Sequence, residues 1–401
     1  SGELLPAYLA FFDYIRDDAE DNVHFAQQGE AVWFEIQQGS KTLRGTASAT
    51  GVTAEASVAK MEKPSVAVMR RVLENNFRLN YTRYALRPDN TLCIRFDAGA
   101  GAGQPYKLYY ALKEAALNAD MQDDLLVQEF TALKPVDTTV LEMLPDDEKE
   151  VKYRFFVKWI EETLKRIAMM NADKQAGGIA WQLMALVYRL DYLLSPQGKT
   201  MNEIEKIHGF YYAKDGKTFP EKNLHIRAML EKLLAKPKSN VVADFYRVKA
   251  TFAVTQPSGP QAVVNSITDA NRDILWWRDN DKEHGMTIAL ASLEHGATYA
   301  TFNYSLPQPV AELFELQMRV FHADFFGALG FMENYYDADK KTFSEASIRN
   351  RIDTIVQKGR ERFPQLVFRL DNIKFTSLLD FGYSFTEEVK YLAENFSKPQ
   401  S

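Results

Sequence analysis

The sequence predicts an α+β fold: an N-terminal antiparallel sheet with helices, a helical middle, and a second α+β module read as a diverged copy of the first. Three observations predict it. Residues 52–130 run strand, helix, hairpin, helix, with turn chemistry where the elements change. Beyond Pro145 the apolar residues recur every three or four positions, the period of a helix. After Lys236-Pro237 the order strand, helix, hairpin, helix returns, with little residue identity.

The elements follow in turn. Residues 9–15 read as a short amphipathic helix. Residues 31–36, 42–49 and 52–58 alternate as strands do, separated by the turn signals Gly39-Ser40 and Thr50-Gly51. A helix starts at Pro64 and carries Val66, Met69, Val72 and Leu73. Residues 79–86 and 91–96 form a hairpin across Arg87-Pro-Asp-Asn90, and a last helix opens at Pro105. Residues 1–133 thus read α-β-β-β-α-β-β-α, one domain. Residues 134–238 form a helical region. Val151, Phe155, Trp159, Ile160, Leu164 and Ile167 mark one helix, and Ile179, Leu183, Leu186, Val187, Leu190 and Leu194 another, broken at Ser195-Pro196. Lys236-Pro237 to Asn240 reads as a linker. Residues 239–401 form a second α+β domain: a strand at 247–254, a helix at 261–277, a hairpin of 286–293 with 298–305, a helix at 309–329, then closing helices. A local repeat supports a duplication. Tyr211-Tyr212 to Glu221 and Tyr335-Tyr336 to Glu345 share Tyr, Tyr, Asp, Lys, Thr, Phe and Glu at equal positions. Thr218 with Glu221, and Thr342 with Glu345, have the spacing of a helix capping box.

Composition bounds the function. The chain of 401 residues is 46% hydrophobic and 25% charged, which is globular and sufficient for two or three cores. A net charge of -6 without a basic run argues against nucleic acid and against anionic membranes. The most apolar stretch, residues 179–188, is too short to span a bilayer. The single cysteine, Cys93, allows no internal disulfide and fits a cytoplasmic protein. The chain opens Ser1-Gly2 without a methionine and is read as carrying a cloning scar, which leaves a native signal sequence open.

No motif carries chemistry. Gly99-Ala-Gly-Ala-Gly103 is not GxGxxG and is read as a flexible turn. Gly198-Lys-Thr200 and Gly216-Lys-Thr218 lack the earlier glycine of a phosphate loop. Thr200 with Glu203 is read as a helix cap. Glu283-His284 and Glu294-His295 flank one predicted strand about 25 Å long and are read as solvated turn residues, not as a metal site. His24, His208, His225 and His322 are isolated. Asp337-Ala-Asp339 opens like a calcium loop but fails at its sixth and twelfth positions, Thr342 and Ile348. Cys93 reads as a small strand residue, and Asp123-Asp124 and Glu387-Glu388 as solvated helix faces. Trp276 and Trp277 are the candidates for an interaction surface. Adjacent helical residues point about 100° apart, so one is expected in the core and one partly exposed.

Residues 76–86, Asn-Phe-Arg-Leu-Asn-Tyr-Thr-Arg-Tyr-Ala-Leu, followed by Asp89-Asn-Thr-Leu-Cys-Ile-Arg-Phe96 and a helix to Asp123-Asp-Leu-Leu126, resemble the YbjN and type III secretion chaperone-like superfamily of bacteria. The resemblance covers residues 1 to about 130, and its motif is structural. It implies an α+β fold that binds another protein, often as a dimer, without nucleotide. The expectation is a cytoplasmic, non-catalytic protein-binding or scaffold protein that holds an extended partner segment and allows a homodimer, with no catalytic, cofactor or metal residues. The alternative is an enzyme or small-ligand binder with a pocket between modules. Partner and pathway are not written in the sequence.

Overall fold

The computed structural model describes residues 4–99, 104–137, 141–254 and 259–396. The chain is mixed α+β, with an N-terminal antiparallel sheet followed by a helical region. Its contacts group residues 1–143 with 246–254 in one compact unit, and residues 144–245 with 255–401 in a second.

The first unit comprises α1 (Leu4–Ile15), β1 (Val23–Gln28), β2 (Ala31–Gly39), β3 (Lys41–Ser48), β4 (Gly51–Met61), α2 (Val66–Asn76), β5 (Arg83–Leu86), β6 (Thr91–Gly99), α3 (Pro105–Glu129), β7 (Leu133–Pro135) and β8 (Glu142–Met143). Two short strands from later in the chain, β9 (Tyr246–Arg247) and β10 (Lys249–Ala250), complete it. The sheet order is β1-β2-β3-β4-β6-β5, all antiparallel, with β10 added beside β2 and β7 beside β4. Alternation decides the two faces. Phe34, Ile36, Leu43, Ala47, Val52, Ala54, Ile94 and Phe96 point to one face, where they bury with Phe12 of α1, Val68 and Val72 of α2, and Leu112 and Ala115 of α3. Phe12 stacks on Phe34 at 4.4 Å between ring centroids. The other face carries ions: Glu35 with Arg44 at 2.7 Å, Arg95 between Glu55 and Asp97, and Arg87 on Glu55.

The predicted Gly39-Ser40 turn is present, and its stabilisation comes from 80 residues away. Gly39 has a φ of +55°, and a Cβ there would lie 1.9 Å from the Asp120 carboxylate of α3. That carboxylate accepts from the Ser40 amide at 2.7 Å, and Asp123, one turn on, accepts from the Ser40 hydroxyl at 2.7 Å and Lys41 Nζ at 2.8 Å. Burial pushes the Asp120 carboxyl up to about 6. Asp123 is therefore not on a solvated helix face: it is buried, with its charge matched by Lys41.

The second unit is helical. Its elements are α4 (Asp146–Ala168), α5 (Ala176–Arg189), α6 (Gly198–Tyr212), α7 (Phe219–Leu234), α8 (Lys238–Ala243), α9 (Pro260–Arg272), α10 (Ile274–Asn280), α11 (Gly285–Asn303), α12 (Gln308–Phe321), α13 (Ala323–Ala328), β11 (Tyr336–Asp337), β12 (Thr342–Phe343), α14 (Glu345–Arg360) and α15 (Leu378–Asn395). α5 is buried nearly all round and packs along α11; a Cβ on Gly178 would lie 2.5 Å from Ile288, so the two helices need that glycine.

Three expectations are corrected here. The hairpin read at 286–293 and 298–305 is one helix, α11, and residues 259–396 hold no sheet beyond the two-residue pair β11–β12. An apolar run without clear period fits a buried helix as well as a strand, and α11 is rich in alanine and buried on most sides. The diverged second copy is therefore not present as an α+β module. The strand read at 247–254 contributes only β9 and β10, and these join the first unit: Lys249 pairs with Gly39, and Phe252 is buried in the first core. The amides of Thr251 and Phe252 donate to the Gln38 side chain at 3.1 and 2.8 Å. The linker read at 236–240 runs into helix α8.

Candidate functional site

The rejected motifs have structural roles. Gly99 closes β6, and residues 100–103 of the glycine-rich loop lie outside the described residues. Thr200 sits inside α6 with its amide and hydroxyl donating to Asp244 at 2.9 and 2.6 Å, so Asp244, not Glu203, serves that helix start. Thr218 and Glu221 form a capping box at α7, in which the Glu221 carboxylate accepts from the Thr218 amide and hydroxyl, both at 2.8 Å. The second copy does not: Thr342 lies in β12 opposite Asp337, and α14 starts after Ser344. Pro220 fixes the first helix start by its φ, whereas Ser344 stands at the equivalent place and Lys341 turns the chain at a φ of 55°. Cys93 faces away from the core side chains but is buried, and burial pushes its thiol up to about 12. Among the described residues no group of three metal-ligating side chains gathers, and no helix is long and apolar enough to cross a membrane.

The residues of the Asn76–Phe96 motif hold the first unit together. Asn76 accepts from the Tyr84 amide at 2.8 Å. The Glu114 carboxylate of α3 collects the amides of Asn80, Tyr81 and Thr82 at 2.8, 2.8 and 2.9 Å. Asn90 turns the hairpin at a φ of 63°. What the motif leaves outside is apolar. α2 buries Val68, Val72 and Asn75 on one side. Val66, Leu73 and Phe77, seven and four residues apart, lie on nearly the opposite side and are 78%, 62% and 95% exposed, while Met69 between them is half-buried against the core. One helix with two apolar stripes has one stripe without a partner in its own unit.

The second unit has a pocket of ≈ 290 Å³ walled by Trp181, Tyr211, Tyr212, Tyr299 and Tyr304, facing Asn265, Ser266 and Asp269 of α9. Its floor holds His295. The Tyr212 hydroxyl lies 3.1 Å from His295 Nε2, and the Tyr188 hydroxyl 2.6 Å from His208 Nε2. Trp181 meets His295 edge to face at 4.9 Å. Burial holds His295 down at about 3, so its ring is neutral at neutral pH; burial also lowers His208 and raises Tyr188 to about 12. These groups are a neutral, packed, hydrogen-bonded wall.

Glu294 and His295 are not turn residues. Both are buried on α11, His284 is buried just before it, and only Glu283 of the four is exposed. Glu294 takes a bidentate pair from Arg189 at 2.6 and 2.6 Å, and His322 Nε2 lies 3.3 Å from the same carboxylate, outside good hydrogen-bond direction. His208 and His322 are thus not isolated. Glu388 is also buried, paired with Arg369 at 2.8 Å, while Glu387 binds Asn271 and Lys390. The local signal in the sequence is His295 to Tyr299, two lining residues four apart on one helix face. Trp276 is exposed on α10, and Trp277 is half-buried against the helical core, 4.9 Å from it edge to face; neither lines the aromatic pocket.

No family model, no curated protein and no solved structure matches the chain.

Proposed function

We propose that this chain is a non-catalytic protein-binding or scaffold protein of the cytoplasm, with a first unit of the YbjN and type III secretion chaperone-like kind. The single observation that carries the reading is the outward apolar stripe of α2, with Phe77, Leu73 and Val66 in water. Leaving such side chains exposed costs about 1.5–3 kcal/mol each relative to burial, which a docked polypeptide recovers. The motif segment supports the reading by its role: its amides and turns are satisfied within the first unit. The element order departs from α-β-β-β-α-β-β-α by an additional strand, β1, before the three expected ones, and by the short strands β7 and β8 after α3.

The test is hydroxyl-radical footprinting of Phe77 and Leu73 in the purified chain and in complexes isolated from its native extract. Sedimentation alongside distinguishes a second copy from a different polypeptide. The expected result is strong labelling in the free monomer, protection in the complex, and loss of the complex in a Leu73→Glu, Phe77→Glu variant with unchanged circular dichroism. Labelling of both residues in every complex, with partners retained by the variant, removes the proposal.

A further inference from the structure

We propose that the aromatic pocket of the helical unit binds a single neutral pyranose ring. Its two walls differ in chemistry. One is aromatic, from Trp181 of α5, Tyr211 and Tyr212 of α6, and Tyr299 and Tyr304 at the end of α11. The other is one face of α9, where Asn265, Ser266 and Asp269 lie within four residues. A pyranose has the matching halves: a flat C–H face that lies on an aromatic ring, and hydroxyls around its edge that take hydrogen bonds.

Charge argues against charged small ligands. No lysine or arginine lines the pocket, so a phosphate or carboxylate finds no partner there. The histidine in its floor is neutral, because burial holds it down at about 3. Asp269 is the one acidic group in the lining, and it is ion-paired with Arg272 one turn along α9. An organic cation would compete with that arginine, whereas a hydroxyl adds to the pair.

The hydrogen-bonding capacity is in place. Asn265 accepts from Gln261 at 2.9 Å through its carbonyl oxygen, which leaves its amide N–H groups for a ligand. Asp269 retains acceptor capacity beyond its pair with Arg272. The aromatic wall is held before binding: Tyr211 and Tyr212 pack edge to face at 4.9 Å, and Tyr212 is fixed by His295. A wall already ordered loses little entropy when a ligand arrives. A volume of ≈ 290 Å³ is at the small end for ligand sites, about 300–1,000 Å³, and suits one ring.

The experiment is saturation-transfer NMR on the full chain with glucose, galactose, mannose and N-acetylglucosamine, and with tetramethylammonium as the cation probe. Titration calorimetry then measures any sugar that responds. The expected result is transfer to at least one pyranose, strongest at its C–H face, and about ten-fold weaker binding in Asp269→Ala or Tyr304→Ala. Asp269 and Ser266 are on the outer face of α9, so Ser266→Ala with Asp269→Ala gives a second, folded control whose binding is lost while its melting curve is kept. Transfer to tetramethylammonium alone, to no probe, or to a pyranose with equal affinity in wild type and the double variant overturns the proposal.

Discussion

The pair Arg189–Glu294 gives a stability prediction that can be worked from the structure. Glu294 is buried and Arg189 mostly so, and the carboxylate meets the guanidinium through two parallel hydrogen bonds of 2.6 Å. Burial alone raises a carboxyl; here Arg189, with His322 beside it, outweighs burial and holds Glu294 down at about 2 from 4.5. That difference of 2.5 corresponds to about 3 kcal/mol at about 1.36 kcal/mol per unit. Removing one partner of a buried pair costs about 3–5 kcal/mol by an independent route, since the remaining charge is left without compensation. Glu294→Gln should therefore lose about 3 kcal/mol in urea unfolding followed by circular dichroism at pH 7. Replacing both residues, Arg189→Met with Glu294→Met, should recover most of the loss. The pH dependence has a definite sign. The folded value lies below the unfolded one, so the stabilisation is complete above pH 4.5 and is lost as pH falls from 4.5 toward 2. The difference between wild type and Glu294→Gln should shrink across that window. A Glu294→Gln variant within about 1 kcal/mol of wild type, or a difference that stays constant from pH 5 to pH 2.5, refutes the reasoning.

Two further outcomes follow from local geometry. Thr218→Ala should cost about 1 kcal/mol in denaturant melts, and Thr218→Ser much less, because the capping box at α7 is made; Thr342→Ala should be close to neutral, since that residue caps nothing. Gly285→Ala should cost at least 1–3 kcal/mol, about the range for overpacking, because a Cβ there would lie 2.0 Å from the Trp277 carbonyl oxygen where α10 meets α11; a variant with wild-type melting would show that the helices part freely.

Much of the first unit was legible because its signals are local. Alternation in 31–36 and 52–58, a glycine that must turn at Gly39, and Asn90 in the hairpin each act over a few residues. β1 was not read, because Val23-His-Phe-Ala-Gln-Gln28 has one clear alternation before it turns polar. The pairings of β10 with β2 and β7 with β4 join residues far apart in sequence, and nothing within three residues of Lys249 announces Gly39. The aromatic pocket was invisible for the same reason: its walls come from α5, α6, α9 and α11, and only the repeated Tyr211-Tyr212 drew notice.

By itself the sequence determined the α+β class, the sheet in the first 100 residues, the helices α4 and α5 and the capping box at Thr218. Each depends on side chains within one or two turns of each other. Only the tertiary structure decided that 285–303 is a helix. Its apolar residues satisfy either period, and burial against α5, α9 and α15 on several sides selects the form that pairs its own backbone. It also decided the protonation of the buried groups. Asp120 and Glu294 are both carboxyls inside the protein. One is raised to about 6 by burial and the other held at about 2 by the guanidinium that packing brings to it from 105 residues away.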